Sequence, residues 1–164
     1  MQCDACPEIF PRRADSMLKI TVCAVGTIKE KYMREGIEDY AKRLSAKCKV
    51  TFVEVKECRT VAEEGELLKK AIPSGAFVVA LDLKGRMLES TELAEFIDAK
   101  MTEGVSSIAF VIGGSDGLDR SIPEKADFSL CLSKMTFTHQ MTRLILLEQI
   151  YRAMKINSGE KYHK

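Results

Sequence analysis

The chain has 164 residues, 25 basic against 24 acidic side chains, 46% apolar residues, 6 cysteines and no tryptophan. That length suits one domain with a sizeable core, and the apolar content excludes a disordered or linker protein. A net charge of +1 excludes a histone-like or polybasic protein, so any nucleic-acid partner must be met by a local patch.

Residues 1–16 show neither helical nor strand periodicity and are broken by Pro7 and Pro11. They contain no apolar stretch of the secretory kind. Cys3 and Cys6 form a C-x-x-C, the spacing of half a zinc site or of a redox pair. Cys23, Cys48, Cys58 and Cys131 are scattered singly and offer no second pair. The expectation is an N-terminal extension over 1–16, disordered or upstream of a start at Met17, followed by a single domain over 17–164. Reduced thiols in a cytoplasmic protein are expected, with no metal and no membrane span.

From Met17 the pattern alternates. Leu18–Gly26 is a strand rich in β-branched residues and closed by glycine. Lys29–Lys47 places Met33, Ile37, Tyr40 and Leu44 on one helical stripe. Val50–Val55 is a second strand, and Val61–Ile72 an acidic-then-basic helix ended by Pro73. Ala76–Leu83 is almost wholly apolar, as a strand covered on both faces should be. Lys84-Gly-Arg86 reads as a turn, and Ser90 as the cap of a helix carrying Leu93, Ile97 and Met101 that stops at Gly104. Ser107–Ile112 is a fourth strand running into Gly113-Gly-Ser-Asp-Gly117. Ser121–Glu124 has the spacing of a capping box. A fifth strand over Phe128–Leu132, a loop over Ser133–His139 and a long helix from Gln140 to about Ser158 complete the order.

Strands alternating with helices imply a mostly parallel sheet flanked by helices, an α/β fold. In such sheets ligands bind beyond the carboxyl ends of the strands, which singles out Leu81–Lys84, Gly113–Leu118 and Ser133–His139. The glycine run suits either a tight turn or a loop that approaches a ligand closely. It is not a phosphate loop: no lysine follows it, and Asp116 would repel an anion. Leu132–His139 combines a lysine, hydroxyls, a methionine and an aromatic, a set able to cradle a planar base. His139, beside a helix start, suits a structural hydrogen bond or catalysis. The last helix is apolar around more than half its circumference, which calls for a homodimer interface or a central core position. From Lys134 onward six basic residues face two acidic ones, a modest excess beside the proposed pocket.

Several segments in order, Ile20–Gly26, Lys29–Tyr32, Leu81–Gly85, Phe110–Leu118, Leu132–Gln140, Glu148–Ala153 and Gly159–His163, resemble one family. It is the SPOUT-class methyltransferases that modify N3 of a pseudouridine in bacterial 23S rRNA. Residues 1–16 have no counterpart in that family, and the region around Lys56–Glu66 is shorter than in many relatives. The resemblance implies a SPOUT fold with a C-terminal trefoil knot, a topology the alternating pattern does not itself reveal. It implies a homodimer and S-adenosyl-L-methionine held by Leu81, Gly113, Leu132, Ser133, Lys134, Met135, Thr136 and Phe137. It also implies a polar set of His139, Arg143, Tyr162 and His163 around the target base, with Arg143 steadying a uridine carbonyl or phosphate. The substrate it implies is helix 69 of 23S rRNA in the assembled 70S ribosome. A domain over 17–164 leaves no room for a separate RNA-binding module, in keeping with a prefolded target. A SPOUT enzyme acting on tRNA, or a nucleotide-binding α/β module without methyl transfer, stands as the alternative.

Overall fold

The computed structural model describes residues 17–161. Within them run β1 (Leu18–Val25), α1 (Lys31–Leu44), β2 (Cys48–Val55), α2 (Val61–Ala71), β3 (Phe77–Met87), α3 (Ser90–Thr102), β4 (Ser107–Ile112), α4 (Ser121–Lys125), β5 (Phe128–Cys131) and α5 (His139–Asn157). The five strands form one parallel sheet in the order β2-β1-β4-β3-β5.

The two-residue period of each inner strand builds the two faces. Ile20, Val22 and Ala24 of β1, with Ile108, Phe110 and Ile112 of β4, join α1, α3 and α5 in the larger core. Their neighbours Cys23, Val25 and Val111 turn the other way, toward Leu68 of α2 and Ile122 of α4. A strand covered on both faces is apolar at most positions, which is why β1, apart from Lys19 and Thr21, and β4 after Ser107 read as near-continuous apolar runs.

Helix α5 lies between α1 and α3. Leu146, Leu147, Ile150, Tyr151, Ala153 and Met154 are buried in the monomer itself, so a core position accounts for most of the helix's apolar circumference. Met141, Leu144, Ile145 and Ile156 remain partly exposed.

Three local expectations are corrected. Lys84-Gly-Arg86 does not end β3: Leu81 and Arg86 both pair with Leu130, so residues 82–85 bulge out and the strand resumes to Met87. Ser90 is not the cap of α3. Glu89 is, in a capping box with Glu92, and the Ser90 hydroxyl donates to Gln149 Oε1 at 2.7 Å instead. Ser121 forms no capping box either, because its hydroxyl and amide are both taken by Asp119 Oδ1.

The sheet order places β5 outside β3, whereas the first turn of α5 touches the ends of β1 and β2 through Arg143. The segment 132–138 therefore crosses the carboxyl ends of β3 and β4. That crossing makes the site.

Candidate functional site

The carboxyl ends of β3, β4 and β5 open onto a cleft of about 360 Å³. Leu81, Asp82 and Leu83 form one wall, at the start of the β3 bulge. The bulge needs a glycine, since a Cβ on Gly85 would stand 2.7 Å from the backbone of Ser129. The second wall is the turn Gly113–Leu118 after β4, closed by the Gly117 amide donating to the Gly114 carbonyl at 3.1 Å. Gly113 lies so close across this turn that a Cβ would come within 2.4 Å of the Gly117 backbone, and Gly117 itself has φ +87°.

The third wall is the crossing segment, with Leu132, Ser133, Met135, Thr136 and Phe137. Ser133 Oγ accepts from the Met135 amide at 3.0 Å, folding the segment back on itself. Thr138 then caps α5: its hydroxyl oxygen accepts from the Met141 amide at 3.2 Å. His139 and Thr142, on the first turn of α5, close the cleft. The Nε2 of His139 is enclosed by protein and meets no hydrogen-bond partner.

The charge lining the cleft is one-sided. Among the described residues Asp82 and Asp116 are its charged lining residues, with no lysine or arginine beside them. Asp82 is held by Arg120 at 2.9 Å, which ties the β3 bulge to the start of α4. Just behind, the Ser121 hydroxyl and amide hold the Asp119 carboxyl below the usual aspartate range.

Of the residues expected to hold a cofactor, Leu81, Gly113, Leu132, Ser133, Met135, Thr136 and Phe137 share this one cleft, and His139 joins them. Lys134 is exposed and takes no part in the lining. Arg143 does not line this cleft. It is 1% exposed, and its guanidinium donates to Glu54, Val25 and Gly26. Burial depresses its pKa, with Glu54 opposing the shift. Arg143 borders a separate cleft of about 460 Å³ between α1 and β2, together with Arg34, Phe52 and Glu54. Tyr162, His163, Cys3 and Cys6 lie outside the described residues.

Asp82, Thr142 and Glu54 were not singled out by sequence. Thr142 carried a signal, being three residues after His139 and so on the same helical face. Asp82 lay inside a flagged segment, whereas nothing local marks Glu54 as the partner of a residue 89 positions away. Among the described residues no three His, Cys, Asp or Glu side chains gather to hold a metal ion, and no helix is long and apolar enough to cross a membrane.

Comparison with known proteins agrees with this geometry. The family model described as "Predicted SPOUT methyltransferase" matches residues 18–163. Curated relatives carrying the name "Ribosomal RNA large subunit methyltransferase H" include one from Carboxydothermus hydrogenoformans, 48% identical, and one from Clostridium botulinum, 45% identical. Each alignment covers 90% of this chain and 100% of the relative. Among solved structures, a probable methylase family protein from Haemophilus influenzae matches with a TM-score of 0.52 at 16% identity, covering 90% of this chain and 70% of that one. A tRNA (m1G37) methyltransferase from Aquifex aeolicus matches with a TM-score of 0.51 at 15% identity, covering 82% and 69%. At those identities the two structures speak for the fold alone.

Proposed function

The chain belongs to the SPOUT methyltransferase family, and from that premise we propose that it methylates N3 of a pseudouridine in helix 69 of 23S rRNA within the assembled ribosome, using S-adenosyl-L-methionine. The observation that carries the cofactor assignment is the charge of the cleft. Among the described residues two carboxylates line it, Asp82 paired with Arg120 and Asp116, and no lysine or arginine does, a setting that suits a sulfonium better than the phosphates of a dinucleotide or triphosphate. Its size and apolar walls fit an adenosine: Leu81, Leu132 and Phe137 offer faces to a planar base, and the turning backbones of 113–118 and 132–137 offer its edges amides and carbonyls. The orphaned Nε2 of His139 is a buried polar atom still in need of a partner. For the substrate, the support is the name shared by full-length relatives at 45–48% identity.

When bound, S-adenosyl-L-methionine supplies a methyl group on a positively charged sulfur. The residues of the chain then have three tasks. The loops after β3, β4 and β5 hold the donor in one conformation, so that alignment rather than covalent help lowers the barrier. Asp82 and Asp116 favour the cationic ground state in the cleft. A polar set accepts the proton that N3 of the base must lose as its bond to carbon forms.

Arg143 is left out of that set in this reading, its guanidinium being bonded to Glu54, Val25 and Gly26. Tyr162 and His163 belong to it only through a second copy. Helix α5, with 19 residues at about 1.5 Å each, is about 28 Å long. Glu160 is tied to Lys47 and Lys155 at its far end. Two or three further residues reach only about 10 Å, far short of His139 in the same chain. A homodimer that brings the tail of one copy to the cleft of the other satisfies the reach, and Met141 and Ile145 of α5 are partly exposed in the single chain.

The test uses labelled S-adenosylmethionine with three acceptors: unmethylated assembled ribosomes, naked 23S rRNA and tRNA. Label at the helix 69 pseudouridine of assembled ribosomes is the expected result. Label entering tRNA alone overturns the substrate, and label in none favours a binding module without transfer. Deleting residues 162–164 should abolish transfer while leaving cofactor affinity within about twofold, because residues 81–83, 113–118 and 132–137 form the cleft walls among the described residues.

A further inference from the structure

Arg143 is the most deeply buried charged side chain among the described residues. Its Nη2 donates to the carbonyls of Val25 at 2.6 Å and Gly26 at 2.7 Å, and its Nη1 donates to Glu54 Oε1 at 2.7 Å. Val25 closes β1, Gly26 follows it, and Glu54 is the last residue but one of β2. The planar guanidinium thus bridges two adjacent strand ends from a helix, a fork geometry that a lysine ammonium does not reproduce. None of these contacts belongs to the cleft itself.

The helix joins the two. His139 stands four residues before Arg143 and Thr142 one before it, and both line the cleft. A second tie reinforces the first turn: the Lys29 amide, in the β1–α1 loop, donates to Gln140 Oε1 at 3.0 Å. The first turn of α5 is therefore pinned to the β1 and β2 ends on one side and forms the wall of the cleft on the other. We propose that Arg143 and Glu54 are positioning residues, whose ion pair fixes this turn and so preforms the wall that His139 and Thr142 present to the cofactor.

The consequence for the cofactor rests on the reading of the cleft given above; the consequence for the helix does not. Three variants separate the effects. Glu54→Ala removes the acceptor from a side chain that is 37% exposed, so folding should survive it. Glu54→Gln keeps a neutral acceptor in place. Arg143→Lys keeps the charge and loses the fork. Affinity for S-adenosylhomocysteine, measured by calorimetry, should fall about tenfold or more in Glu54→Ala and Arg143→Lys, since misplacement of a wall by a fraction of an ångström is enough. Glu54→Gln should recover most of that loss. A role in folding alone would lower the melting temperature and leave the affinity of the folded protein unchanged.

Amide hydrogen exchange read by mass spectrometry supplies the arm that needs no cofactor. Exchange should quicken over 139–147 in Glu54→Ala and stay unchanged over the rest of α5. Affinities within twofold of wild type, or exchange that quickens throughout the protein, would overturn the positioning role. If the wild-type protein binds no S-adenosylhomocysteine, the cofactor reading fails, and the exchange pattern still decides whether the pair fixes the turn.

Discussion

Replacing Gly113 with alanine tests the cleft at its tightest point. A Cβ there would meet the Gly117 carbonyl carbon and oxygen at 2.4 Å and the Leu118 amide nitrogen at 2.7 Å. Ordinary contact begins near 3.4 Å, so the opposing backbone must retreat by about 1.0 Å (3.4 less 2.4). Neither partner is a flexible side chain that can swing aside. Overpacking of this kind costs about 1–3 kcal/mol, or about 2–12 °C in melting temperature for a domain of this size. The retreating atoms belong to the turn 113–118 that lines the cleft. A shift of about 1 Å in a positioning element is able to cost up to 100-fold in function. Gly104→Ala is the control: its φ is +93°, nothing lies within 4 Å of the new Cβ, and it sits after α3 at the opposite end of the sheet. It should lose about 1 kcal/mol to backbone strain and keep its affinity for S-adenosylhomocysteine. Calorimetric titration and thermal melts of both variants make the comparison. The cleft assignment fails if Gly113→Ala binds the ligand as tightly as Gly104→Ala at equal loss of stability.

Burial pushes the Cys23 and Cys48 thiols up to about 11. At pH 8 about one in a thousand is ionised, so iodoacetamide should spare both in the native protein and label both in urea, as peptide mass spectrometry will show. The half-buried Cys58 should react natively, and native labelling of Cys23 would contradict the packing of β1. The Asp119 carboxyl is held low by the Ser121 hydroxyl and amide, so its contribution to stability is present above the ordinary aspartate range and is lost as pH falls through its depressed folded value. Asp119→Asn should lower the urea midpoint at neutral pH, where that contribution is present, and flatten the fall of the profile below about pH 4; an unaltered acid limb would refute the assignment. Thr138→Ala removes the hydroxyl that caps α5 and should destabilise the protein by about 1 kcal/mol in urea unfolding.

Elements whose signal is local were legible in the chain. The stripe of Met33, Ile37 and Leu44 lies buried along α1, and the apolar runs of β1 and β4 are covered on both faces. The same uniformity concealed the sheet order. A strand apolar at nearly every position says little about which neighbour it takes, and β2-β1-β4-β3-β5 depends on pairings between residues up to 88 positions apart, as in Lys19 with Ser107. The bulge in β3 was hidden for a related reason. Lys84-Gly85-Arg86 has the composition of a turn, yet the glycine is required by the backbone of a strand more than 40 residues later. Ser90 was misjudged because a glutamate one position earlier formed the cap, freeing the hydroxyl for Gln149.

Strand ends proved a better guide to the site than side-chain chemistry. The rule that ligands gather beyond carboxyl ends selected all three loops of the cleft, and it needs only the alternation of strands and helices. The residues implied by the family resemblance include Arg143 and Lys134, of which one is buried behind the wall and the other stands outside it. The difference is physical. A loop's position is dictated by the strand that precedes it, whereas an arginine four residues into a helix has a reach of several ångströms and faces whichever side its longest-range partner occupies. For Arg143 that partner is Glu54, and the strength of a buried pair depends on both members being present: removing one leaves the other charge without compensation. Arg143 itself does not line the cleft, whose charged lining among the described residues is Asp82, paired with Arg120, and Asp116.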